Sequence, residues 1–350
     1  MNQSKPLIIS GPCSAESRKQ VLSTAEALSK KGIKLFRAGI WKPRTKPGNF
    51  EGVGEKGIKW LEEVQEKYGI KAATEVANPE HISAILNSSI NIIWIGARTV
   101  SDPFSIQTII NTMVTSNNTD VLDTTILIKN PINPDIELWC GAVERFKKAG
   151  FTKLYAIHRG FSSIEEKIYR NSPIWQVPLE FKRRFPDIPL LCDPSHIAGK
   201  RNLIAPLSQR AMDLNFDGLF IESHIDPDSA LSDSAQQITP DQLGIILDNL
   251  IVRHNSFDSA SAQIKSKIDF SRDEIDDIDM RIFSLLSRRM DITKEIGKLK
   301  KLNNIPVFQS KRYSQIMKDA SKKANELELN PDFIAKLMRL IHAESVREQK

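Results

Sequence analysis

The first 222 residues alternate between short apolar runs and amphipathic segments, with a new run roughly every 30 residues. The eight runs are 7–10, 35–38, 71–75, 92–95, 125–128, 154–157, 189–191 and 218–221, and helical patterns lie between them, as at 18–31, 57–68, 79–87 and 136–149. Because alternating strands and helices form a parallel sheet, eight such units predict an α/β fold, the (β/α)8 barrel. An open doubly wound sheet is the alternative, but no GxGxxG loop follows the first run.

The residues at or just after the end of each run are charged, metal-liganding or nucleophilic. In chain order they include Cys13, Arg37, Lys42, Glu75, Arg98, Lys129, His158, Arg159, His196, Glu222 and His224. Barrel enzymes build their active sites at the C-terminal ends of the strands. Surface loops are polar in any fold, so one or two such residues would be uninformative. Their presence after all eight runs predicts one active site.

Six cationic residues are expected to converge at that end of the barrel: Arg37, Lys42, Arg44, Arg98, Lys129 and Arg159. Such convergence indicates ligands with several negative charges, because arginine and lysine bind phosphates and carboxylates. For any one arginine, an ion pair with a nearby acid is the alternative. The net charge of +6 is also typical of proteins that bind nucleic acid, but no basic stripe with interleaved aromatic residues supports that function. Small anionic substrates are therefore expected, and no nucleic acid.

A second group, Cys13, His196, Glu222 and Asp233, combines a thiol, an imidazole and two carboxylates. This set suits a divalent transition metal, although its spacing is not that of a zinc finger. The alternative for Cys13 is a small buried apolar residue, an interpretation that fits Cys140 and Cys192 better. The cysteine count of three is odd and indicates no disulfide framework, so a reducing cytoplasmic location is expected. No apolar run predicts a membrane span, and the N-terminus does not resemble a secretory signal.

Nine segments occur in an order that resembles type I 3-deoxy-D-arabino-heptulosonate 7-phosphate (DAHP) synthases of the β subgroup. They are GPCSAES, R-x4-KPRT, TEV, IGART, IKN, HRG, DPSH, FIESH and ALSDSAQ. The resemblance implies condensation of phosphoenolpyruvate with erythrose 4-phosphate. The KPRT segment favours erythrose 4-phosphate over arabinose 5-phosphate, the substrate of the sister enzyme. Cys13 favours the metal-dependent form, with a cation of the Mn, Co, Fe or Zn class.

The same resemblance implies a role for each site residue. Arg98, Lys129 and Arg159, with Arg37 nearby, bind phosphoenolpyruvate; Lys42, Arg44 and Thr45 hold the aldose phosphate; Cys13, His196, Glu222 and Asp233 bind the metal; and Glu75 positions a water molecule or acts as a structural acid. Two departures, Asn130-Pro131 for Arg-Gly and His158 for Glu, put the subgroup in doubt. A Schiff-base aldolase using Lys129 is an alternative.

Beyond the barrel, expected at 1–253, a Ser/Asn/Asp-rich stretch predicts a linker at 254–266 and a helical domain at 267–350. Apolar residues from Ile275 to Leu299 follow a 3,4 repeat, which predicts a long packed helix. Polar residues interrupt the apolar faces of three predicted helices: Arg272, Arg289, Lys300, Arg312, Ser345 and Gln349. A buried charge is costly unless it is paired. The pattern therefore indicates a site for a small dianion, with a ragged edge as the alternative for Arg272.

This tail resembles the all-helical chorismate mutases over residues 270–349. The resemblance implies rearrangement of chorismate to prephenate, with Lys300 and Gln349 at the ether oxygen and the arginines on the carboxylates. It also implies a homodimer in which Arg272 crosses to the partner. Gln309 and Tyr313 replace the acidic residues usual in the family. An alternative makes the tail a dimerising sensor of chorismate or prephenate, since any feedback control is expected from the C-terminal end.

Overall fold

The computed structural model describes residues 5–42, 48, 50–116, 119–163, 168–253 and 261–349. The chain divides into two compact units, residues 1–254 and 255–350. Arg44, Thr45 and residues 254–260 of the predicted linker lie outside the described residues. Among the described residues, no helix is both long and apolar enough to cross a membrane.

The first unit is a closed barrel of eight parallel strands. They are β1 (Leu7–Gly11), β2 (Leu35–Arg37), β3 (Lys71–Val76), β4 (Ile92–Ile95), β5 (Thr125–Lys129), β6 (Leu154–His158), β7 (Leu190–Cys192) and β8 (Gly218–Glu222). The barrel closes where β1 pairs with β8, with Gly11 opposite Glu222. The predicted (β/α)8 fold is therefore confirmed, and every strand overlaps its predicted apolar run.

Helices surround the barrel. In the described part of this unit they are α1 (Arg18–Lys30), α2 (Lys56–Tyr68), α3 (Pro79–Leu86), α4 (Ala97–Val100), α5 (Pro103–Val114), α6 (Ile136–Lys148), α7 (Gln176–Arg184), α8 (Pro194–Ala198), α9 (Ile204–Asp213) and α10 (Pro240–Asp248). Polar N-caps fix several starts; the Asp193 carboxylate, for example, accepts a hydrogen bond from the His196 backbone at the start of α8.

Two apolar layers support the site. One lies between the strands and the surrounding helices, and the other fills the barrel interior with residues such as Ile9, Trp94, Leu127 and Phe220. The interior layer ends just below the mouth, where the Arg37 guanidinium lies 4.1 Å from the centroid of the Phe220 ring. A dry aromatic floor beneath charged residues lowers the local dielectric constant and strengthens electrostatic interactions above it.

In the second unit, the described residues form three helices, α11 (Ala262–Leu302), α12 (Ser310–Glu326) and α13 (Pro331–Glu348). Helix α11 begins inside the predicted linker, because the Ser261 hydroxyl caps it by accepting from the Ile264 backbone. Four described residues of this unit are buried, namely Thr293, Gly297, Ala324 and Ser345. The predicted apolar stripe from Ile275 to Leu299 is exposed within this unit.

Candidate active sites

A cavity of about 450 Å³ opens at the C-terminal ends of the barrel strands. Its wall contains nine of the residues predicted for the barrel site: Cys13, Arg37, Lys42, Glu75, Arg98, Lys129, Arg159, His196 and Asp233. Glu222, at the end of β8, is fully buried among them. Residues that follow all eight strands thus meet in one place, as barrel topology requires.

The first feature of this cavity is a cluster of metal-type donor atoms. The Cys13 Sγ and one carboxylate oxygen each of Glu222 and Asp233 lie within 4.8 Å of one another. His196 Nε2 lies 3.7 Å from Glu222 Oε1, so the imidazole faces the same cluster. Burial and the Glu222 carboxylate raise the pKa of the Cys13 thiol. A thiolate here therefore needs further positive charge, which a divalent cation supplies, and the donor set fits a transition metal.

Lys42 lies against this donor cluster. Its Nζ contacts the Cys13 Sγ and lies 3.1 Å from Asp233 Oδ2. Burial by itself would lower the pKa of Lys42, but Cys13, Asp233 and Glu222 raise it, so the ammonium group stays charged. The acidic neighbours draw Lys42 to the donor cluster, whereas the resemblance implied a contact with the aldose phosphate.

Asp193 is a buried anion in the DPSH segment. The sequence pattern assigns no role to this residue. Its Oδ2 lies 2.9 Å from Lys129 Nζ, 2.8 Å from His196 Nδ1 and 3.9 Å from Arg37 Nη1. Burial alone would raise the pKa of Asp193, but these cationic groups hold it well below its ordinary value. Asp193 thereby orients His196, leaving Nε2 toward the donor cluster, and fixes Lys129.

Another part of the cavity lining, the cationic wall, contains Arg98 and Arg159. Arg159 donates from Nη1 to Asn171 Oδ1 at 2.8 Å, and Arg98 stands exposed on the short helix α4. Burial, together with the nearby Arg170 and Arg98, lowers the pKa of Arg159 to about 10, although Asp193 opposes them. An anion bound here would relieve both effects, so this wall suits a phosphate or carboxylate.

Glu75 places a carboxylate on the cavity wall. The Trp94 indole donates to Glu75 Oε2 at 2.8 Å. Gly96 allows the close approach of this side chain, since a Cβ at that position would lie 2.1 Å from Glu75 Oε1. The carboxylate is therefore fixed by the neighbouring strand β4 and the glycine that follows it.

Several cavity residues were missed by sequence reasoning, among them Trp41, Arg170 and Asn171. Arg170 Nη1 lies 3.3 Å from Asp233 Oδ1. These residues lie in loops several positions beyond a strand end. Strand register cannot predict where the side chains of such residues lie. The only available indication was the presence of an arginine and an asparagine after the HRG segment.

His158 does not face the cavity. It is fully buried, and its ring packs 5.4 Å from Trp175 and 5.6 Å from Phe161. Neighbouring residues on a strand point to opposite faces, so Arg159 turns inward and His158 outward. Burial lowers the pKa of His158 to about 3.

The buried His158 predicts acid sensitivity of the barrel. Since histidine has a pKa of about 6.5 when unfolded, the unfolded chain binds more protons between about pH 3 and 6.5, and stability falls with falling pH by about 1.4 kcal/mol per unit. Urea unfolding followed by tryptophan fluorescence should show this, because all five tryptophans lie in the barrel unit. His158→Phe should remove that part of the slope. An unchanged slope would contradict the assignment.

The helical unit brings together four of its predicted site residues. Arg289 Nη1 donates to the Ser345 hydroxyl. Lys300 Nζ donates to Gln349 Oε1 at 2.9 Å. Gly297 makes this contact possible, because a Cβ there would lie 2.8 Å from the Gln349 Cα. Two cations and two neutral hydrogen-bonding groups at one place suit a small dianion.

Arg272 is not part of this group within one chain. It lies 17 positions before Arg289 on the continuous helix α11, which corresponds to roughly 25 Å along the axis. Arg272 is exposed and pairs with Asp269 at 3.4 Å, and Arg312 on α12 is also exposed. The predicted core positions of both arginines are therefore solvent-facing in the single unit.

Comparison with known proteins places the barrel in a family. Residues 2–253 match the model of the DAHP synthetase I family. The chain belongs to the DAHP synthetase I family. Residues 271–350, outside the synthase barrel, match the model of chorismate mutase type II.

Relatives of this synthase-family chain include the phospho-2-dehydro-3-deoxyheptonate aldolase of Thermotoga maritima, 34% identical over 66% of this chain and 64% of that protein. The match therefore spans less than two thirds of that relative. The 2-dehydro-3-deoxyphosphooctonate aldolase of Desulfotalea psychrophila is 27% identical over 70% of this chain and 88% of that protein. A crystal structure of the Thermotoga maritima DAHP synthase has a TM-score of 0.62 at 30% identity and covers 71% of this chain and 68% of that one.

Proposed function

We propose that this chain is bifunctional: its barrel condenses phosphoenolpyruvate with erythrose 4-phosphate to DAHP and phosphate, and its helical unit rearranges chorismate to prephenate. The observation that carries the first activity is the cavity that holds both the cationic wall and the donor cluster of Cys13, His196, Glu222 and Asp233. We assign the barrel to 1–253, the linker to 254–261 and the helical domain to the remainder. Three free cysteines support a cytoplasmic location.

Phosphoenolpyruvate is assigned to the cationic wall. Arg98 and Arg159 bind its phosphate and carboxylate, since each guanidinium offers a bidentate fork. Lys129, held by Asp193 at 2.9 Å, supplies a fixed positive charge at the barrel centre. Arg37, beside the same carboxylate, adds a second positive charge. Binding at two charged ends orients the enol carbon toward the donor cluster.

Erythrose 4-phosphate is assigned to the side of Lys42, with Arg44 and Thr45 on its phosphate. A divalent cation of the Mn, Co, Fe or Zn class, when bound to Cys13, His196, Glu222 and Asp233, would polarise the aldehyde as a Lewis acid. Lys42 places an ammonium group where the aldehyde oxygen becomes negative. The enol carbon of phosphoenolpyruvate bonds to the aldehyde carbon. Water, positioned by Glu75, then adds to the second carbon of the former phosphoenolpyruvate, and phosphate leaves by cleavage of the bond between that carbon and the ester oxygen.

An assay of phosphate release tests the synthase activity. With phosphoenolpyruvate, erythrose 4-phosphate should support turnover, arabinose 5-phosphate should support less than about a hundredth of that rate, and a chelator should abolish it. Added Mn²⁺ should restore activity to the wild type and not to Cys13→Ser. Faster turnover with arabinose 5-phosphate would overturn the substrate assignment. Lys129 is expected not to form a Schiff base, because its amine is paired with Asp193; borohydride trapping with substrate would contradict this.

In the helical unit we assign Lys300 and Gln349 to the ether oxygen of chorismate and Arg289 to a carboxylate. This rearrangement needs no acid, base or metal, so the residues act by binding the reactive conformer and stabilising charge at the breaking bond. We assign Arg312 and Ser345 to further polar contacts with the substrate.

We further propose a homodimer formed through the helical unit. Apolar side chains along α11 remain exposed, including Ile275 at 56% and Leu285 at 65%. Burying such a stripe against a second copy removes it from water. A two-fold arrangement would also bring Arg272 of one chain to the site of the other. Within a single chain, the distance along α11 is too long for Arg272 to reach the site.

Mixing two inactive variants tests the shared site. Arg272→Ala and Lys300→Ala should each lose mutase activity as homodimers. In a heterodimer, one of the two sites has both wild-type residues, so a random mixture should regain about a quarter of wild-type turnover. Mixing each variant with itself provides the control. Absence of any recovery after verified subunit exchange would contradict donation of Arg272 across the dimer.

The alternative for the helical unit is a sensor of chorismate or prephenate. Gln309 and Tyr313 favour it, since they replace family acids, and the Tyr313 ring packs 4.6 Å from His342. The sensor predicts that prephenate changes the rate of DAHP formation and that Lys300→Ala abolishes this response. Absence of mutase turnover, together with retained prephenate inhibition, would favour the sensor.

A further inference from the structure

The loop between β6 and α7 carries a dipeptide, Arg170-Asn171, whose backbone is fixed against α8. The Arg170 backbone donates to the Ile197 carbonyl at 3.0 Å, and the Asn171 backbone donates to the same carbonyl at 3.2 Å. Ser172 exchanges two backbone hydrogen bonds with Phe161, both at 2.8 Å. The two side chains therefore project from an anchored piece of backbone.

Asn171 lies between the cationic wall and the donor cluster. Its Nδ2 donates to the His196 carbonyl at 2.6 Å. Its Oδ1 accepts from Arg159 Nη1 at 2.8 Å. Asn171 is 7% exposed, so these bonds are shielded from water. One buried amide thus joins the backbone of His196 to the guanidinium of Arg159.

Arg170 contacts one carboxylate of the donor cluster directly and the other through Gln236. Its Nη1 lies 3.3 Å from Asp233 Oδ1 and donates to Gln236 Oε1 at 2.7 Å. Gln236 in turn donates from Nε2 to Glu222 Oε2 at 2.6 Å. Gln236 is 1% exposed, so it transmits the position of Arg170 to Glu222 through a buried amide.

Two backbone features support this arrangement. Asp233 has a φ of 49°, in the left-handed region where a residue with a Cβ needs compensating contacts. Gly199 has a φ of 66°, and a Cβ there would lie 2.5 Å from the Arg170 Cβ. The glycine lets Arg170 pass close to the end of α8, and Arg170 contributes one of the contacts that hold Asp233.

We propose that Arg170 and Asn171 are positioning residues that hold the metal donors and the phosphoenolpyruvate-binding Arg159 in one rigid frame. The inference rests on the proposed synthase function. Arg170 fixes the directions of Asp233 and Glu222, and Asn171 fixes Arg159 relative to His196. Outer contacts of this kind orient metal ligands, and their loss typically weakens metal binding by about 10- to 100-fold.

The two positions predict different changes. Arg170→Gln should raise the Kd for Mn²⁺ by about 10- to 100-fold, measured without substrate by the electron paramagnetic resonance signal of free Mn²⁺. At saturating Mn²⁺ its KM for phosphoenolpyruvate should stay within about twofold of wild type. Asn171→Ala should raise that KM by about tenfold, the cost of one lost hydrogen bond to a charged group, with a smaller change in the Mn²⁺ Kd.

Controls separate this effect from loss of charge or of fold. Arg183→Gln removes the same charge from an exposed residue that forms an ion pair with Glu180 on α7, and it should leave the Mn²⁺ Kd unchanged. Arg170→Lys keeps the charge and should give an intermediate Kd. Tryptophan fluorescence checks that each barrel is folded. In a double-mutant cycle, Arg170→Gln and Gln236→Ala should be non-additive, because they interrupt the same chain of contacts.

An unchanged Mn²⁺ Kd in folded Arg170→Gln, with a raised KM for either phosphorylated substrate, would overturn the proposal and make Arg170 a substrate contact. Additive effects in the cycle would also overturn the role of Gln236. If the wild type bound no divalent cation, the proposed synthase function itself would fail. If the wild type binds Mn²⁺ and turns over its substrates while Arg170→Gln keeps the wild-type Kd, this inference fails and the proposed synthase function stands.

Discussion

Replacing Asp193 by asparagine is expected to reduce synthase kcat/KM by about 10²- to 10³-fold and to destabilise the barrel by about 3–5 kcal/mol. The carboxylate is completely buried and lies within 4 Å of Lys129, His196 and Arg37. A neutral amide leaves these groups without their shared counter-charge. It also releases the imidazole whose other nitrogen faces the donor cluster.

Phosphate release at saturating Mn²⁺ and urea unfolding followed by tryptophan fluorescence measure the two effects of Asp193→Asn. Asp187→Asn is the matched control, because Asp187 is exposed and precedes the other end of β7. It should change neither quantity by more than about twofold in rate or 0.5 kcal/mol in stability. Near-wild-type activity of Asp193→Asn would show that His196 and Lys129 are positioned by other contacts.

Replacing Arg289 by glutamine is expected to lower mutase kcat/KM by about 10- to 150-fold, since a charged hydrogen bond to a substrate carboxylate contributes about 1.5–3 kcal/mol. Arg289 is half-buried and donates to Ser345. The adjacent Arg288 is exposed and provides a control of the same charge on another face of α11. Conversion of chorismate should be followed by the loss of its absorbance.

Synthase turnover without added prephenate should be the same in Arg289→Gln, Arg288→Gln and wild type, because the substitutions lie in the second unit. Equal mutase losses in both variants would mean that general charge, and not the position of Arg289, determines the effect. A mutase rate near wild type in Arg289→Gln would remove this arginine from the site.

Barrel topology explains why much of the synthase site was predictable. Once eight strands were recognised, residues at their C-terminal ends, such as Cys13, Glu75, Lys129 and Glu222, had to meet at one mouth. The direction in which each side chain points near a strand end was less predictable. His158 and Arg159 both follow β6 in the sequence pattern, but only the arginine faces inward.

Contacts that depend on loop conformation could not be predicted from the pattern. Arg170 reaches Asp233 because its loop is fixed against α8, and Asp193 becomes a shared counter-ion because β5 and β7 place Lys129 and His196 around it. In the helical unit, the 3,4 repeat predicted the long helix α11. It did not indicate that the stripe would be exposed within one chain.

In the proposed synthase reaction, the barrel mouth binds a divalent cation beside phosphoenolpyruvate. A crystal structure of the protein with Mn²⁺ and phosphoenolpyruvate, with data collected for the anomalous signal of manganese, tests it directly. We expect an anomalous peak about 2.0–2.5 Å from donor atoms of Cys13, His196, Glu222 and Asp233, with the phosphate and carboxylate held by Arg98, Lys129 and Arg159. A peak elsewhere, or phosphoenolpyruvate bound outside this cavity, would rule out this arrangement of the site.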